Sequence, residues 1–338
     1  MVKHIGFSFI LIFLLFFLPF LWGEPSKALP PASDPPASEA PAAQTQPAAP
    51  QEKIDAGTML NVLAEGQLQQ MDMETYLLGV VRAEMPASFE LEALKAQAVA
   101  ARTYALHKML NGGSPNHPEA DACDDINCCQ AFQTYEDAAQ GWGADAQTCE
   151  AKIRRAVTET DGECILYEGQ PVLAVFHSSS AGVTLDASAI WSSSVPYLQS
   201  VQTPETSETV PNYHSTASFP AAELKGILQE ALPEAKLDGR VSNWFTNIQQ
   251  QPNGTVTALS VGGVAVSGSQ LRRILDLRSA CFTISFDGDT VIFSVTGYGH
   301  GVGMSQYGAN VMAAGGMNYR DILTWYYTGA AVETYRRT

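Results

Sequence analysis

The stretch VVRAEMPASFELEALKAQAVAARTYAL, residues 80–106, sets one glutamate between an apolar helix pattern and a proline. Glu84 follows Val80, Val81 and Ala83 and precedes Met85 and Pro86. Apolar surroundings disfavour the charged form of a carboxyl, and a carboxyl that stays neutral near pH 7 can act as a general acid. The alternative is a solvated charge at a helix end. Lys95 and Arg102 lie seven residues apart, two turns along one helix face, as a basic stripe or as ligand contacts. Gln97, Thr103 and Tyr104 add hydrogen-bonding groups to the same alanine-rich segment.

Two further groupings carry chemistry. In HPEADACDDINCCQA, His117, Cys123 and Cys129 recur every six residues in a polar, loop-like segment. Imidazole and thiolate are the usual zinc ligands, although structural sites have four ligands and more closely spaced cysteine pairs. Six cysteines in all (Cys123, Cys128, Cys129, Cys149, Cys164 and Cys281) equally allow disulfides in an oxidising compartment. In GYGHGVGMSQYGA, glycines at 297, 299, 301 and 303 alternate around His300, with Gln306 just beyond. This is not the dinucleotide fingerprint. Alternating glycines let the backbone turn sharply and be approached closely, with His300 and Gln306 as polar groups beside a cleft.

FHSSSAGVT, residues 176–184, brings His177, Ser178, Ser180 and Thr184 together. Neighbouring residues on a strand point to opposite faces, and no Gly-x-Ser-x-Gly elbow is present, which argues against a serine hydrolase. Polar contacts to a ligand and a purely structural strand end are the two readings of this segment.

The elements that must position these groups follow from periodicity. Asp72 is placed to cap a helix running to about Met85, stopped by Pro86. A second helix spans about Leu91 to Leu110, with Leu91, Leu94, Ala98, Ala101 and Ala105 as a narrow apolar stripe. Strands are predicted in CILYEG and VLAVFHSS, and in two hairpins carrying Asn-Gly and Asp-Gly turn signals, NWFTNIQQQPNGTVTALSVGG and CFTISFDGDTVIFSVTG. Between the hairpins, SGSQLRRILDL predicts a short helix capped by Ser267 or Ser269. Helices first and hairpins later make an α+β domain over residues 53–338.

Ahead of it, Lys3 and His4 precede an apolar run from Ile5 to Gly23; a cleaved signal peptide is the competing reading, but the run is long and ends without small residues, so residues 1–24 are expected to anchor the chain in a membrane. Positive charge before the run and acidic chain after it place the domain outside the cytoplasm. Residues 25–52, rich in proline and alanine, are expected to form a flexible tether. A net charge of −16 among 338 residues excludes nucleic acid as a natural partner.

Taken in order, TYLLGVVRAEMPASFELEALKAQAVAARTYAL, HPEADACDDINCCQA, FHSSSAGVT with PYLQSVQTPE, GSQLRRILDLRSACFTI, GYGHGVGMSQYGANVMAAGG and DILTWYYTGA resemble the stage II sporulation protein D family, related to amidase-enhancer domains of bacterial cell-wall proteins. The resemblance implies a membrane-anchored lytic transglycosylase that cleaves peptidoglycan strands stripped of stem peptides during forespore engulfment. The protein would sit in the engulfing mother-cell membrane with stage II sporulation proteins P and M as partners. A glycan-binding protein that activates a partner amidase is the alternative. The family's catalytic acid falls on Glu84, its basic helix residues on Lys95 and Arg102, and its zinc pattern on His117, Cys123 and Cys129, with Cys128 at a position that is often histidine.

Ordinary glycosidases use two carboxylates, whereas no second one stands in a comparable motif here. Glu90 and Glu92 suit the start of the following helix, where negative charge favours the dipole. Lys95 and Arg102 are expected to touch the sugar or brace the loop at a distance from the acid. Tyr104, His177, Ser180, Thr184, His300 and Gln306 complete the expected contacts to the strand.

Overall fold

The computed structural model describes residues 53–114, 116–125, 128–191 and 193–337. The expected anchor and tether, residues 1–52, lie outside them. Among the described residues no helix is long and apolar enough to cross a membrane. Glu52–Thr338 form one compact unit, in which mixed helices and strands build an α+β domain around two hydrophobic cores.

The first core surrounds one helix. A short helix α1 (Ile54–Gly57) leads into the antiparallel hairpin β1 (Met59–Ala64) and β2 (Gln67–Asp72), so a hairpin precedes the helices, contrary to the expected order. Helix α2 (Met73–Glu84) starts where the Asp72 side chain accepts from the Thr75 N–H at 2.8 Å. It stops at Glu84 because Met85, which precedes Pro86, takes extended geometry. Helix α3 (Leu91–Leu110) is buried on nearly every side, not along one stripe. Its alanines at 93, 96, 98, 100, 101 and 105 let neighbours approach all round, and Gln97, Arg102 and Thr103 are carried inside with them.

Strand β3 (Ala122–Cys123) then joins β1 in parallel. Helices α4 (Tyr135–Trp142) and α5 (Ala146–Thr158) pack against α2, and α5 also against α3, without having been anticipated from periodicity. Strands β4 (Glu163–Tyr167) and β5 (Gln170–Pro171) follow. Of the predicted VLAVFHSS strand, only β6 (Phe176–His177) forms, followed by the turn-length helix α6 (Ser188–Trp191).

The second core belongs to an inserted lobe. It runs through β7 (His214–Pro220), α7 (Ala221–Ala231), β8 (Phe245–Gln250), β9 (Val256–Val261), β10 (Val264–Val266), α8 (Gly268–Ile274), β11 (Phe282–Asp287) and β12 (Thr290–Thr296). Phe219, Phe245 and Phe282 all pack edge-on against Phe293. Both predicted hairpins form, and Ser267 closes a capping box with Gln270 at the start of α8.

The chain returns to the first core through β13 (Met304–Ser305), α9 (Gln306–Ala314), α10 (Tyr319–Tyr326) and β14 (Ala331–Thr334), which pairs with β4. Strand β13 lies parallel to β6, with Met304 opposite Phe176 and Ser305 opposite His177. This pairing depends on the glycine run: at Gly303 (φ 71°) a Cβ would come 2.0 Å from the Val175 carbonyl oxygen. The backbone that approaches these glycines so closely is the protein's own.

Candidate active site

Glu84 ends α2 at the wall of a cavity of about 330 Å³ lined by Arg82, Met85, Phe89, Trp142, Ser178, Gln306 and Tyr307, among others. The side chain is half-buried. Its Oε1 accepts from the Ala131 N–H at 2.8 Å, and the Gln306 amide also donates to the carboxylate. These donors stabilise the charged form. Loss of solvation outweighs them, and the carboxyl is held above its ordinary pKa.

Each neighbour is fixed by the local fold. Gln306 is the first residue of α9, capped by the Ser305 hydroxyl, which accepts from Gly308 N–H at 3.1 Å. Its Nε2 reaches the buried Gln97 Oε1 at 3.4 Å, so an amide relay joins α3, α9 and the acid. Ser178 follows β6, and its carbonyl accepts from Tyr307 N–H at 3.0 Å. Tyr307 packs edge-on against Phe89 with centroids 4.9 Å apart. Arg82 is neutralised by a two-point pairing with Glu150 at 2.7 and 2.8 Å. Among the described lining residues Glu84 is the one carboxylate.

Beneath this wall lies Glu205, which is 2% exposed. Its Oε1 accepts from Ser180 N–H at 2.7 Å and from the Ser305 hydroxyl at 2.6 Å, and Oε2 accepts from the Thr203 hydroxyl. It thereby ties the Ser180 loop to the cap of α9. Trp142, Phe89, Tyr307 and Glu205 were not singled out from sequence, because no local pattern separates a cavity-lining aromatic or a buried hub from ordinary core.

Of the eight expected sugar contacts, the structure brings Gln306 to Glu84. Arg102 is 1% exposed and turned into the protein, where Nε and Nη2 hold Asp55 at 2.6 to 3.0 Å and Nη1 holds the Glu163 carbonyl at 3.0 Å. Lys95 pairs with Glu92 at 2.9 Å and Glu159 at 2.7 Å beside the Tyr319 ring. Neither lines the cavity, because both carboxylate partners and the burial of α3 claim their charge. Tyr104 donates to the Cys128 carbonyl at 3.2 Å, and Thr184 is fully buried with its hydroxyl accepting from Val201 N–H at 2.9 Å.

His177 and Ser180 do form a serine–histidine contact, at 2.6 Å. His177 Nδ1 faces the Val302 carbonyl at 3.1 Å, so Nδ1 carries the proton and Nε2 accepts from the serine. Both side chains are buried, and burial, followed by His300, pushes the imidazole down to about 3. A hydroxyl shut away from solvent with no carboxylate behind its histidine is a structural pair. His300 is likewise neutral, pushed down to about 4 by burial, with Nδ1 accepting from Val302 N–H and Nε2 donating to Phe176.

The sulfur cluster differs from its expected membership. The Sγ atoms of Cys123, Cys128 and Cys129 lie within 4.8 Å of one another, and His117 is not among them. His117 sits in a turn closed by Ser114 and Ala120, with Nδ1 3.9 Å from Glu119, while the Ser114 hydroxyl contacts Cys128 at 3.0 Å. Cys128 enters because its N–H and that of Cys129 both bond the Asp125 carbonyl, at 3.0 and 2.7 Å. The Cys128 and Cys129 sulfurs are 3.8 Å apart, which matches the edge of about 3.8 Å that thiolates at ~2.3 Å make around a tetrahedral metal. All six cysteines are free thiols, so the triad can hold a metal ion. Lys108 donates to the Cys128 carbonyl at 2.9 Å and Tyr76 to Gln130 at 3.1 Å, which bind the cysteine loop to the helices just before Ala131 reaches Glu84.

Residues 64–167 match the family model described as SpoIID, stage II sporulation protein. The chain is 37% identical over 269 residues to stage II sporulation protein D of Bacillus subtilis (strain 168), covering 80% of this chain and 76% of that one. It is 36% identical to the protein of the same name from Bacillus amyloliquefaciens, covering 78% and 75%. An amidase enhancer of Bacillus subtilis is 29% identical, over 77% of this chain and 40% of that protein.

Proposed function

Because the chain belongs to the stage II sporulation protein D family, a family of sporulation proteins, we propose that it is a lytic transglycosylase acting on peptidoglycan strands whose stem peptides have been removed. The observation that carries this reading is a lone carboxyl with a raised pKa in a cavity flanked by Trp142, Phe89 and Tyr307. One carboxyl is sufficient when the substrate supplies its own nucleophile. Glu84, protonated, donates to the leaving glycosidic oxygen. The resulting carboxylate then takes the proton of the muramic 6-hydroxyl as that oxygen attacks the anomeric carbon and closes a 1,6-anhydro ring. The Gln306 and Ala131 donors hold the carboxylate in place between the two steps.

Zinc is the metal that suits three thiolates best, and Cys123, Cys128 and Cys129 would hold it. Bound there, it would supply loop rigidity, since the cysteine loop runs into the Ala131 N–H. The protein acts outside the cytoplasm in this reading, held by the apolar segment near its N-terminus, with stage II sporulation proteins P and M as partners. The likeness to an amidase enhancer favours a second role, stimulation of a partner amidase. The decisive experiment incubates the full chain with peptide-free strands and weighs the products. Fragments with 1,6-anhydro ends, absent with Glu84→Gln, are expected. Ordinary reducing ends would mean hydrolysis, and intact strands with a stimulated amidase would leave the second role alone.

A further inference from the structure

With Lys95 and Arg102 neutralised elsewhere, any charge recognition near the cavity must come from other cations. The inserted lobe presents three of them in the segment LRRILDLRS, namely Arg272, Arg273 and Arg278. None has a carboxylate within ion-pair distance among the described residues, in a chain whose net charge is −16. Asp276 acts on Arg272 only from farther away.

Arg278 sits over the Tyr298 ring, with its guanidinium carbon 4.1 Å from the centroid, and its Nε is buried without a hydrogen-bond partner. Arg272 is half-buried beside it, with Nε donating to the Arg278 carbonyl at 3.1 Å. Tyr298 and Trp191 are exposed, and Trp191 stands 6.2 Å from the His300 ring. This cluster adjoins the Glu84 wall through the backbone. Tyr298 and Ser179 exchange hydrogen bonds at 2.9 and 3.0 Å, and the next residue, Ser178, lines the cavity.

A guanidinium fork is shaped to grip a carboxylate at two points, and stacking on an aromatic ring fixes its plane before the ligand arrives. A half-buried pair of such forks without counter-ions is an incomplete ion pair. The chain's net charge of −16 disfavours polyanions, while a ligand with single carboxylates spaced along a neutral chain meets less repulsion. We propose that Arg278 and Arg272, presented on Tyr298, form a subsite for a sugar carboxylate, filled by the lactyl group that each muramic residue keeps once its stem peptide is gone. This rests on the reading of the chain as glycan-acting. It also assigns the inserted lobe a task, since both arginines belong to that lobe.

The test measures binding, not cleavage, with the full chain carrying Glu84→Gln. Three probes are compared: peptide-free strands, the same strands with their carboxyls converted to amides, and strands still bearing stem peptides. Peptide-free strands are expected to bind about tenfold or more tighter than amidated ones at low salt, as charge-assisted hydrogen bonds are worth. Arg278→Gln and Arg272→Gln should abolish that preference without weakening the amidated strands. Equal binding of free-acid and amidated strands by the arginine-containing protein overturns the subsite, whether or not the variants fold. A preference that survives in folded variants does the same. Arginine-dependent preference for peptide-bearing strands reassigns the carboxylate to the stem peptide and overturns the lactyl assignment. Failure of all three to bind overturns the glycan reading together with this one.

Discussion

Replacing Arg102 with methionine separates a structural ion pair from a substrate contact. The guanidinium is 1% exposed, Asp55 is 2% exposed, and their three contacts span 2.6 to 3.0 Å. Methionine keeps much of the volume but leaves the Asp55 carboxylate buried with no counter-charge, held only by Gly162 N–H at 3.3 Å. Breaking a buried pair from one side costs about 3–5 kcal/mol, because the remaining charge cannot be solvated. For a domain of this size that is a fall in Tm of roughly 6–10 °C. Asp55→Asn should lose a similar amount, and the double variant clearly less than the sum. The assay is urea unfolding followed by circular dichroism, beside strand binding of the folded protein at low temperature. Binding should stay within twofold of the parent. An unchanged unfolding midpoint with lost binding would refute the argument and return Arg102 to the sugar.

Three other outcomes follow from the same geometry. Strand cleavage should fall as pH rises through the raised pKa of Glu84, since the donor must start protonated. The native state keeps that proton to higher pH than the unfolded chain does, so stability also declines as pH climbs through that window, and Glu84→Gln should be the more stable form above it; a flat difference across pH would contradict this. Trp142→Ala should weaken strand binding about tenfold with kcat little changed, as loss of one sugar-facing aromatic predicts, and a fall confined to kcat would remove it from the binding wall. Cobalt added to the metal-free full chain should produce thiolate-to-metal absorption that weakens in Cys128→Ser but persists in His117→Ala; the reverse pattern would restore His117 as a ligand.

Local signals in the sequence were sufficient where a single segment decides the outcome. Asp72 and Pro86 bracket α2, the capping box at Ser267 starts α8, and turn residues fix both hairpins of the inserted lobe. The apolar setting of Glu84 was legible for the same reason, since its apolar neighbours and the proline are adjacent in the chain. The failures at Arg102 and Glu205 involve partners distant in sequence, and the one at His117 involves a loop conformation. Arg102 looks like a surface cation until Asp55, 47 residues earlier, is folded onto it. His117 and Cys128 exchange places because the turn at Ser114–Ala120 and the Asp125 carbonyl decide which side chains meet. Glu205 becomes a hub only when Ser305, 100 residues later, caps α9 against it.

The inserted lobe leaves and rejoins the first core at nearly one point. His214 pairs with Thr296, and the Gly297 N–H donates to the Tyr213 carbonyl at 2.8 Å. The rest of the chain therefore has a continuous path without it, and the segment from 214 to 296 behaves as a cassette on a two-stranded stalk. A short turn joining Tyr213 to Gly297 should leave Glu84, Gln306 and the cysteine triad where they are. Replacing the cassette would then carry away Arg272 and Arg278 while leaving the acid and its cavity in the first core.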